Sequence, residues 1–317
     1  MKEKVQGEPE KIIAVEDLVK KYGNLTAVNN ISFSINEGEV FAFLGPNGAG
    51  KTTTVEMIEM IRTPTSGSIH IFGKLLESSK AEVRERIGVL PQDFRSFERL
   101  TVRETLLYYQ SLYNGKGWDV DDIISILDLG EKKDVQYRYL SGGLKQRVGV
   151  GIAIVNDPDI IFLDEPTTGL DPRARREVWE VIRLLRRKGK TVFLTTHYME
   201  EAEQLADIIC IIHKGKIIAS GTLEQLIEEY GSNSIMTVSG CNPAEIGELV
   251  KASSMDSKEE GGDCLVTLPD NQAVFRILSA IEGSSAVYNK IDIRRSNLEE
   301  VFLTLTGESL GGEEDAS

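Results

Sequence analysis

The stretch Gly45-Pro-Asn-Gly-Ala-Gly-Lys51-Thr52 constrains this chain more than any other, because it meets the Gly-x4-Gly-Lys-Thr pattern in full and in the required setting. Before it runs Val40-Phe-Ala-Phe-Leu44, a continuous apolar run that suits a strand buried on both faces. After it, Thr52 to Arg62 reads as a helix that ends ahead of Pro64. Glycines let backbone N–H groups converge on a phosphate without Cβ clashes, and a helix N-terminus adds partial positive charge there. Lys51 is then placed to bridge the β- and γ-phosphates of a nucleotide, and Thr52 to ligate Mg2+.

A second motif completes that chemistry. Asp164 ends the apolar strand Ile160–Leu163, where a carboxylate holds Mg2+ through a water, and Glu165 beside it points differently and is placed to polarise an attacking water. Around these motifs the chain reads as α/β. Ile12–Leu18, Ile31–Ile35 and Ser68–Phe72 form strands, with a Tyr22-Gly23 turn after the first. Residues 93–145 read as a helical insert, with a capping box at Thr101-Val-Arg-Glu104 and apolar stripes at Leu106, Leu107, Tyr109 and Leu112 and over Val120–Leu129. The α/β pattern returns with strands at Ile160–Leu163, Thr191–Thr195, Ile208–His213 and Ile217–Ala219, and helices at Ala174–Arg187 and Met199–Leu205.

A turn-rich boundary is expected between Leu226 and Ser234. Beyond it strands (Ile235–Val238, Cys264–Leu268, Val287–Ile293) alternate with helices (Pro243–Ala252, Asn271–Ile281), and a helix over Leu298–Leu305 closes the fold. The expected division is residues 1–230, residues 231–310 as a small α+β domain, and an acidic tail over 311–317.

Composition narrows the partners. The net charge of -14 over 317 residues argues against a nucleic-acid binder, which needs a basic face. Cys210, Cys241 and Cys264 are too few and scattered for a disulfide framework or zinc site, which fits a cytosolic compartment. No secretory signal is visible, and no stretch approaches the roughly 18 apolar residues that cross a bilayer, so any spanning belongs to another chain.

A third motif, Leu140-Ser141-Gly142-Gly143, lies between the other two, and with it the chain resembles the ATP-binding subunits of ABC transporters over residues 11–225. The resemblance implies a P-loop NTPase α/β fold with a helical subdomain, ATP and Mg2+ as cofactors, and ATP hydrolysis. It implies nucleotide contacts from Tyr22 (stacked on adenine), Gly45, Asn47, Gly48, Gly50, Lys51, Thr52 and Thr53. By the same resemblance Gln92 is the glutamine that contacts metal and water, Asp171 belongs to the loop Gly169-Leu170-Asp171, and His197 contacts the γ-phosphate. Catalysis then falls to Glu165, His197 and Gln92, and the metal to Thr52, Gln92 and Asp164. The signature departs from the common pattern at Leu144, where Gln is usual.

In this family the signature serves the nucleotide bound by the other subunit. Ser141, Gly142 and Gly143 of one copy would complete the site of its partner, in a head-to-tail pair for which a homodimer is the simpler expectation. A separate polytopic permease is the implied membrane partner, docked on the helical insert, where Phe94, Phe97 and Trp118 are candidate contacts. That places the chain in the cytoplasm at the inner face of the cell membrane. The ending Asn297-Leu-Glu-Glu-Val-Phe-Leu-Thr-Leu-Thr-Gly307 is similar to that of the drug-exporter, daunorubicin-resistance-like branch, which points to export. A non-transport ATPase acting on ribosomes or DNA, and an importer ATPase, share the nucleotide chemistry and stay open.

Overall fold

The computed structural model describes residues 11–231, 234–269, 271–294 and 296–308, so the acidic tail over 311–317 lies outside the described residues. Two compact units divide at Leu223/Glu224.

The first unit opens with a hairpin of β1 (Lys11–Tyr22) and β2 (Leu25–Asn36), then β3 (Val40–Leu44), α1 (Lys51–Ile58), β4 (Ser66–Ile71), β5 (Lys74–Leu75), α2 (Leu76–Arg86) and β6 (Ile87–Leu90). The helical stretch holds α3 (Val102–Ser111), α4 (Val120–Ile126) and α5 (Gly142–Ile154). There follow β7 (Ile160–Asp164), α6 (Pro172–Arg187), β8 (Thr191–Thr196), α7 (Met199–Leu205), β9 (Ile208–His213) and β10 (Lys216–Gly221). Helix α8 (Leu223–Tyr230) runs into the segment expected to be turn-rich: Leu226 is buried and Leu223, Ile227 and Tyr230 are half-buried on the same helical face, so Glu228-Glu229-Tyr230 continue a helix rather than a turn.

Two sheets make the framework. One is antiparallel, in the order β2-β1-β4-β5. The other runs β10-β9-β3-β8-β7-β6, with β6, β7, β8, β3 and β9 parallel and β10 antiparallel at the edge. Strands β3 and β7 are buried along their whole length, as parallel strands covered on both faces must be. Phe33 of β2 stacks on Phe41 and Phe43 of β3 at centroid separations of 5.4 and 5.6 Å, and Phe193 and Phe162 continue the aromatic layer between the sheets. Because the strands are parallel, their carboxyl ends share one edge. Leu44 stands level with Thr196, and Asp164 with Thr195. That edge is where an open α/β sheet places a ligand.

In the helical stretch Thr101 and Glu104 form the expected capping box. Gly143 and Gly149 let α5 pack closely: a Cβ on Gly143 would meet the Ala174 Cβ at 2.6 Å, and one on Gly149 the Leu90 Cδ1 at 2.6 Å. Of the three candidate docking residues only Phe97 stands well exposed, edge-on to Tyr108. Phe94 is half-buried against Tyr137, and Trp118 is half-buried beneath the Lys188 and Lys190 ammonium groups.

The second unit contains β11 (Ser234–Ser239), α9 (Pro243–Ala252), β12 (Asp256–Glu260), β13 (Asp263–Leu268), α10 (Asn271–Glu282), β14 (Lys290–Arg294) and α11 (Leu298–Thr306). Its antiparallel sheet runs β12-β13-β11-β14. The β-α-β-β-α-β order up to β14 is the split βαβ arrangement. Met236, Val238, Val266 and Leu268 form one face of its core, against Ile246, Val250, Ile277 and Ile281 from the helices. Asn297 caps α11 by accepting from the Glu300 N–H.

Candidate active site

The glycine-rich loop leaves the end of β3 and enters α1 at Lys51. Gly50, the N-cap, has φ +106°, and a Cβ there would lie 2.6 Å from the Ala27 carbonyl oxygen, so no other residue fits. Gly45 is held as closely, its hypothetical Cβ 2.2 Å from the Ile212 carbonyl oxygen. Gly48 is left-handed, and Asn47 and Gly48 are exposed at the tip. No side chain caps α1, so the first-turn amides face outward without an internal acceptor from a cap. Thr52 and Thr53 are half-buried on its first turn.

Glu165 is the hub. Its Oε1 lies 3.2 Å from Lys51 Nζ, in an ion pair buried on both sides. Its Oε2 accepts from Gln92 Nε2 and from the Thr168 hydroxyl, both at 3.1 Å, and His197 Nδ1 lies 3.2 Å away. Lys51 also donates to the Gly45 and Pro46 carbonyl oxygens at 2.8 and 3.2 Å. The Glu165 backbone is left-handed, with φ +49°. That conformation costs a non-glycine residue about 1–2 kcal/mol and turns the side chain away from the line of β7. Thr195, fully buried at the end of β8, holds the geometry from beneath: its hydroxyl accepts from Glu165 N–H at 3.0 Å and donates to Asp164 Oδ1.

The two carboxylates are driven apart by their surroundings. Burial pushes Glu165 up, but the contact with His197 and the charges of Lys51 and His197 together outweigh it and bring the carboxyl down to about 2. Asp164 is raised, chiefly by burial, against hydrogen bonds from Thr195 and Thr52. Lys51 is lowered by burial, which the charge of Glu165 only partly offsets. The Thr52 hydroxyl and the Asp164 carboxylate are thus adjacent hard oxygen donors, the chemistry that suits Mg2+. Among the described residues no cluster of three His, Cys, Asp or Glu side chains forms a metal cage. Mg2+ does not need one, since it keeps waters and takes oxygens from phosphate.

The sequence-derived residues fall in three places. Lys51, Gln92, Asp164, Glu165 and His197 converge as described, with Thr52. Tyr22 stands at the end of β1, 40% exposed, its ring 5.7 Å from the Arg62 guanidinium and 5.2 Å from the Lys20 ammonium. Ser141, Gly143 and Asp171 lie elsewhere, lining an open groove of about 530 Å3 with Leu144, Arg147 and Arg173. There Ser141 caps α5 by accepting from Leu144 N–H at 3.4 Å, Gly142 is the exposed first residue of that helix, and Asp171 caps α6 through the Arg173 and Ala174 amides at 3.0 Å. Sequence reasoning missed Thr168 and Thr195. The signal for Thr195 was available, as a hydroxyl at the carboxyl end of the strand Thr191–Thr196, just after its apolar run Val192–Leu194.

Residues 28–168 match the ABC transporter family model. The Nod factor export ATP-binding protein I of Burkholderia orbicola is 38% identical over 303 residues, covering 94% of this chain and 98% of that protein. Among solved structures, an ATP-binding cassette of an ABC transporter in its ADP conformation superposes with a TM-score of 0.62 at 25% identity, covering 70% of this chain and 94% of that one. A dimeric bacterial ABC transporter cassette superposes with a TM-score of 0.59 at 25% identity, covering 66% and 98%. With a relative of that identity along nearly its whole length, and with P-loop, signature and paired carboxylates each in place, the chain belongs to the ABC transporter family, as one of its ATP-binding subunits.

Proposed function

We propose that this chain is the ATP-hydrolysing motor of a membrane exporter, working as a head-to-tail homodimer around two ATP molecules and driving a separate polytopic permease from the inner face of the cell membrane. The observation that carries the hydrolytic reading is the convergence of Lys51, Gln92 and His197 on the single carboxylate of Glu165. Export is supported by the similarity to an export ATP-binding protein over nearly the whole chain. Among the described residues no helix is long and apolar enough to cross a membrane, and a separate permease is the partner this reading calls for.

In this reading the uncapped amides of α1 and Lys51 take the phosphates, and Tyr22 stacks on the adenine. Thr52, Asp164 and Gln92 would hold Mg2+, which when bound would neutralise charge developing on the phosphates. Glu165 orients and polarises the attacking water, with Gln92 and His197 fixing its position. In the arrangement seen here His197 and the ion pair with Lys51 together keep the basicity of Glu165 low. Drawing the ammonium onto the phosphates would remove the Lys51 share of that restraint and raise the carboxylate part of the way toward its ordinary range.

The groove at Ser141 and Asp171 faces the nucleotide of the second copy. Residues 1–230 form the ATP-binding domain, with the helical part over 93–145 meeting the permease, and 231–310 form an accessory domain. The net charge of -14 disfavours nucleic acid as a partner. The test is purification of the Glu165→Gln chain with Mg2+ and ATP from detergent-solubilised membranes of its native host. A polytopic membrane protein recovered with it supports the motor reading, whereas ribosomes or DNA in its place would overturn it.

A further inference from the structure

We infer that Glu201 is a positioning residue for hydrolysis: its buried carboxylate ties the loop that carries Glu165 to the segment that carries His197. This rests on the roles proposed above for those two residues. Glu201 belongs to α7, the helix that follows His197, and it is fully buried. Its Oε1 accepts two hydrogen bonds, from the Thr167 hydroxyl at 2.7 Å and from the Trp179 indole N–H at 3.0 Å. Thr167 is itself fully buried and stands in the loop just past Glu165. Trp179 lies on α6, the helix capped by Asp171.

Helix α6, which Glu201 anchors through Trp179, also reaches His197 by way of Tyr198. Arg175, one turn before Trp179 on α6, holds its guanidinium 4.3 Å over the Tyr198 ring, and Tyr198 packs on the His197 ring at a centroid separation of 4.1 Å. One carboxylate oxygen therefore joins three chain segments, two of which end in groups that touch Glu165.

Packing alone does not explain a carboxylate here. An apolar side chain of similar volume would fill the space without the desolvation that a buried charge incurs. Burial does push the Glu201 carboxyl up, and the opposing influences are hydrogen bonds from Thr196, Thr167 and Trp179 and the charge of Arg175. What the carboxylate adds is direction, since two donors from separate segments are fixed on one atom. Glu165 depends on such fixing, because its left-handed backbone is held only by its surroundings. Loss of Glu201 should thus displace Glu165 and His197 relative to the phosphates while leaving the P-loop itself intact.

The test measures kcat, KM, equilibrium ATP affinity and thermal melting on full-length Glu201→Ala, Glu201→Gln and Thr167→Val. Glu201→Ala should lower kcat about 10- to 100-fold, the size expected of a small misplacement of reacting groups. ATP affinity should stay within about threefold, because only the transition-state contacts are disturbed. Glu201→Gln, which keeps an acceptor at the same position, should recover most of the rate. Thr167→Val should lower kcat in the same direction and add little to Glu201→Ala when combined with it. If Glu201→Ala does not fold, Thr167→Val and Trp179→Phe carry the test, each deleting one donor. Unchanged kcat in the variants that fold, or kcat and ATP affinity falling in parallel in a variant that keeps its melting transition, would overturn the inference. Turnover retained by Glu165→Gln and His197→Ala would instead overturn the reading of the site on which it rests.

Discussion

The two halves of the nucleotide machinery differ in how far each is satisfied by its own chain. At the P-loop, the charged side chains are already paired within the chain: Lys51 is bound by Glu165 and by two carbonyl oxygens, and Glu165 by Lys51, Gln92 and Thr168, with His197 beside it. At the signature, Ser141 and Gly142 are exposed on an open groove, and Ser141 is engaged only with the cap of its own helix. A self-contained region can be assembled and neutralised before ligand arrives. A region that presents a hydroxyl and the start of a helix to open space is built for something brought from outside. The difference supports the proposed pairing, in which one copy would carry the reaction centre and lend its signature to another.

Four substitutions probe that contrast, each through a different link. The largest effect belongs to Glu165→Gln, which removes the base while leaving the shape. Hydrolysis should fall by about 10³-fold, within the range expected of a lost general base, with ATP still bound and the paired form accumulating on size exclusion. Ser141→Arg fills the groove and leaves the P-loop untouched. Turnover should fall about 100-fold with ATP binding to the single chain preserved, the signature of lost transition-state contacts measured by kcat against equilibrium affinity.

Glu59 sharpens the contrast from the opposite direction, as a buried carboxylate without a partner. Its Oε1 is buried without a hydrogen bond, and burial, reinforced by the charges of Asp164 and Glu56, pushes its carboxyl up to about 8. An acid raised on folding is most favourable below its unfolded value of 4.5 and loses that advantage as pH rises to about 8. Glu59→Gln should therefore stabilise the chain at pH 8 by about 4 kcal/mol relative to pH 4.5, read by melting at both pH values. Glu165 has the reverse sign: lowered from 4.5 to about 2, it contributes stability above pH 4.5 that is lost as pH falls through 2. Equal gains for Glu59→Gln at the two pH values would contradict the assignment. The smallest effect is at Tyr22, where alanine should raise KM for ATP about 10-fold through lost stacking and leave kcat unchanged.

The sequence discloses the site more fully than the fold, and the reason is physical. The P-loop, Asp164-Glu165 and the signature are contiguous, and each demands particular residue types at fixed spacing. Thr195 and Thr168 act through contacts to a carboxylate whose left-handed backbone no local pattern reveals. The helix α2 was missed because only Leu76, Ser79 and Val83 of its eleven residues are buried, too weak a stripe to register. Strand β12, Asp-Ser-Lys-Glu-Glu, was missed because it sits at the sheet edge and buries nothing. By contrast, the buried strand β3 and the capping box of α3 were legible, since one is uniformly apolar and the other carries both reciprocal partners.

The central claim is that each reaction centre is completed by a second copy, and mixing two defective chains tests it most directly. Lys51→Ala lacks the phosphate lysine and Ser141→Arg lacks the signature, so each should be inactive alone. In a head-to-tail mixed pair, the intact P-loop of one meets the intact signature of the other, and one complete site returns. ATPase activity should appear on mixing and rise with the product of the two concentrations at low occupancy. A mixture no more active than the sum of its parts, or a Ser141→Arg chain that hydrolyses ATP normally alone, would contradict it.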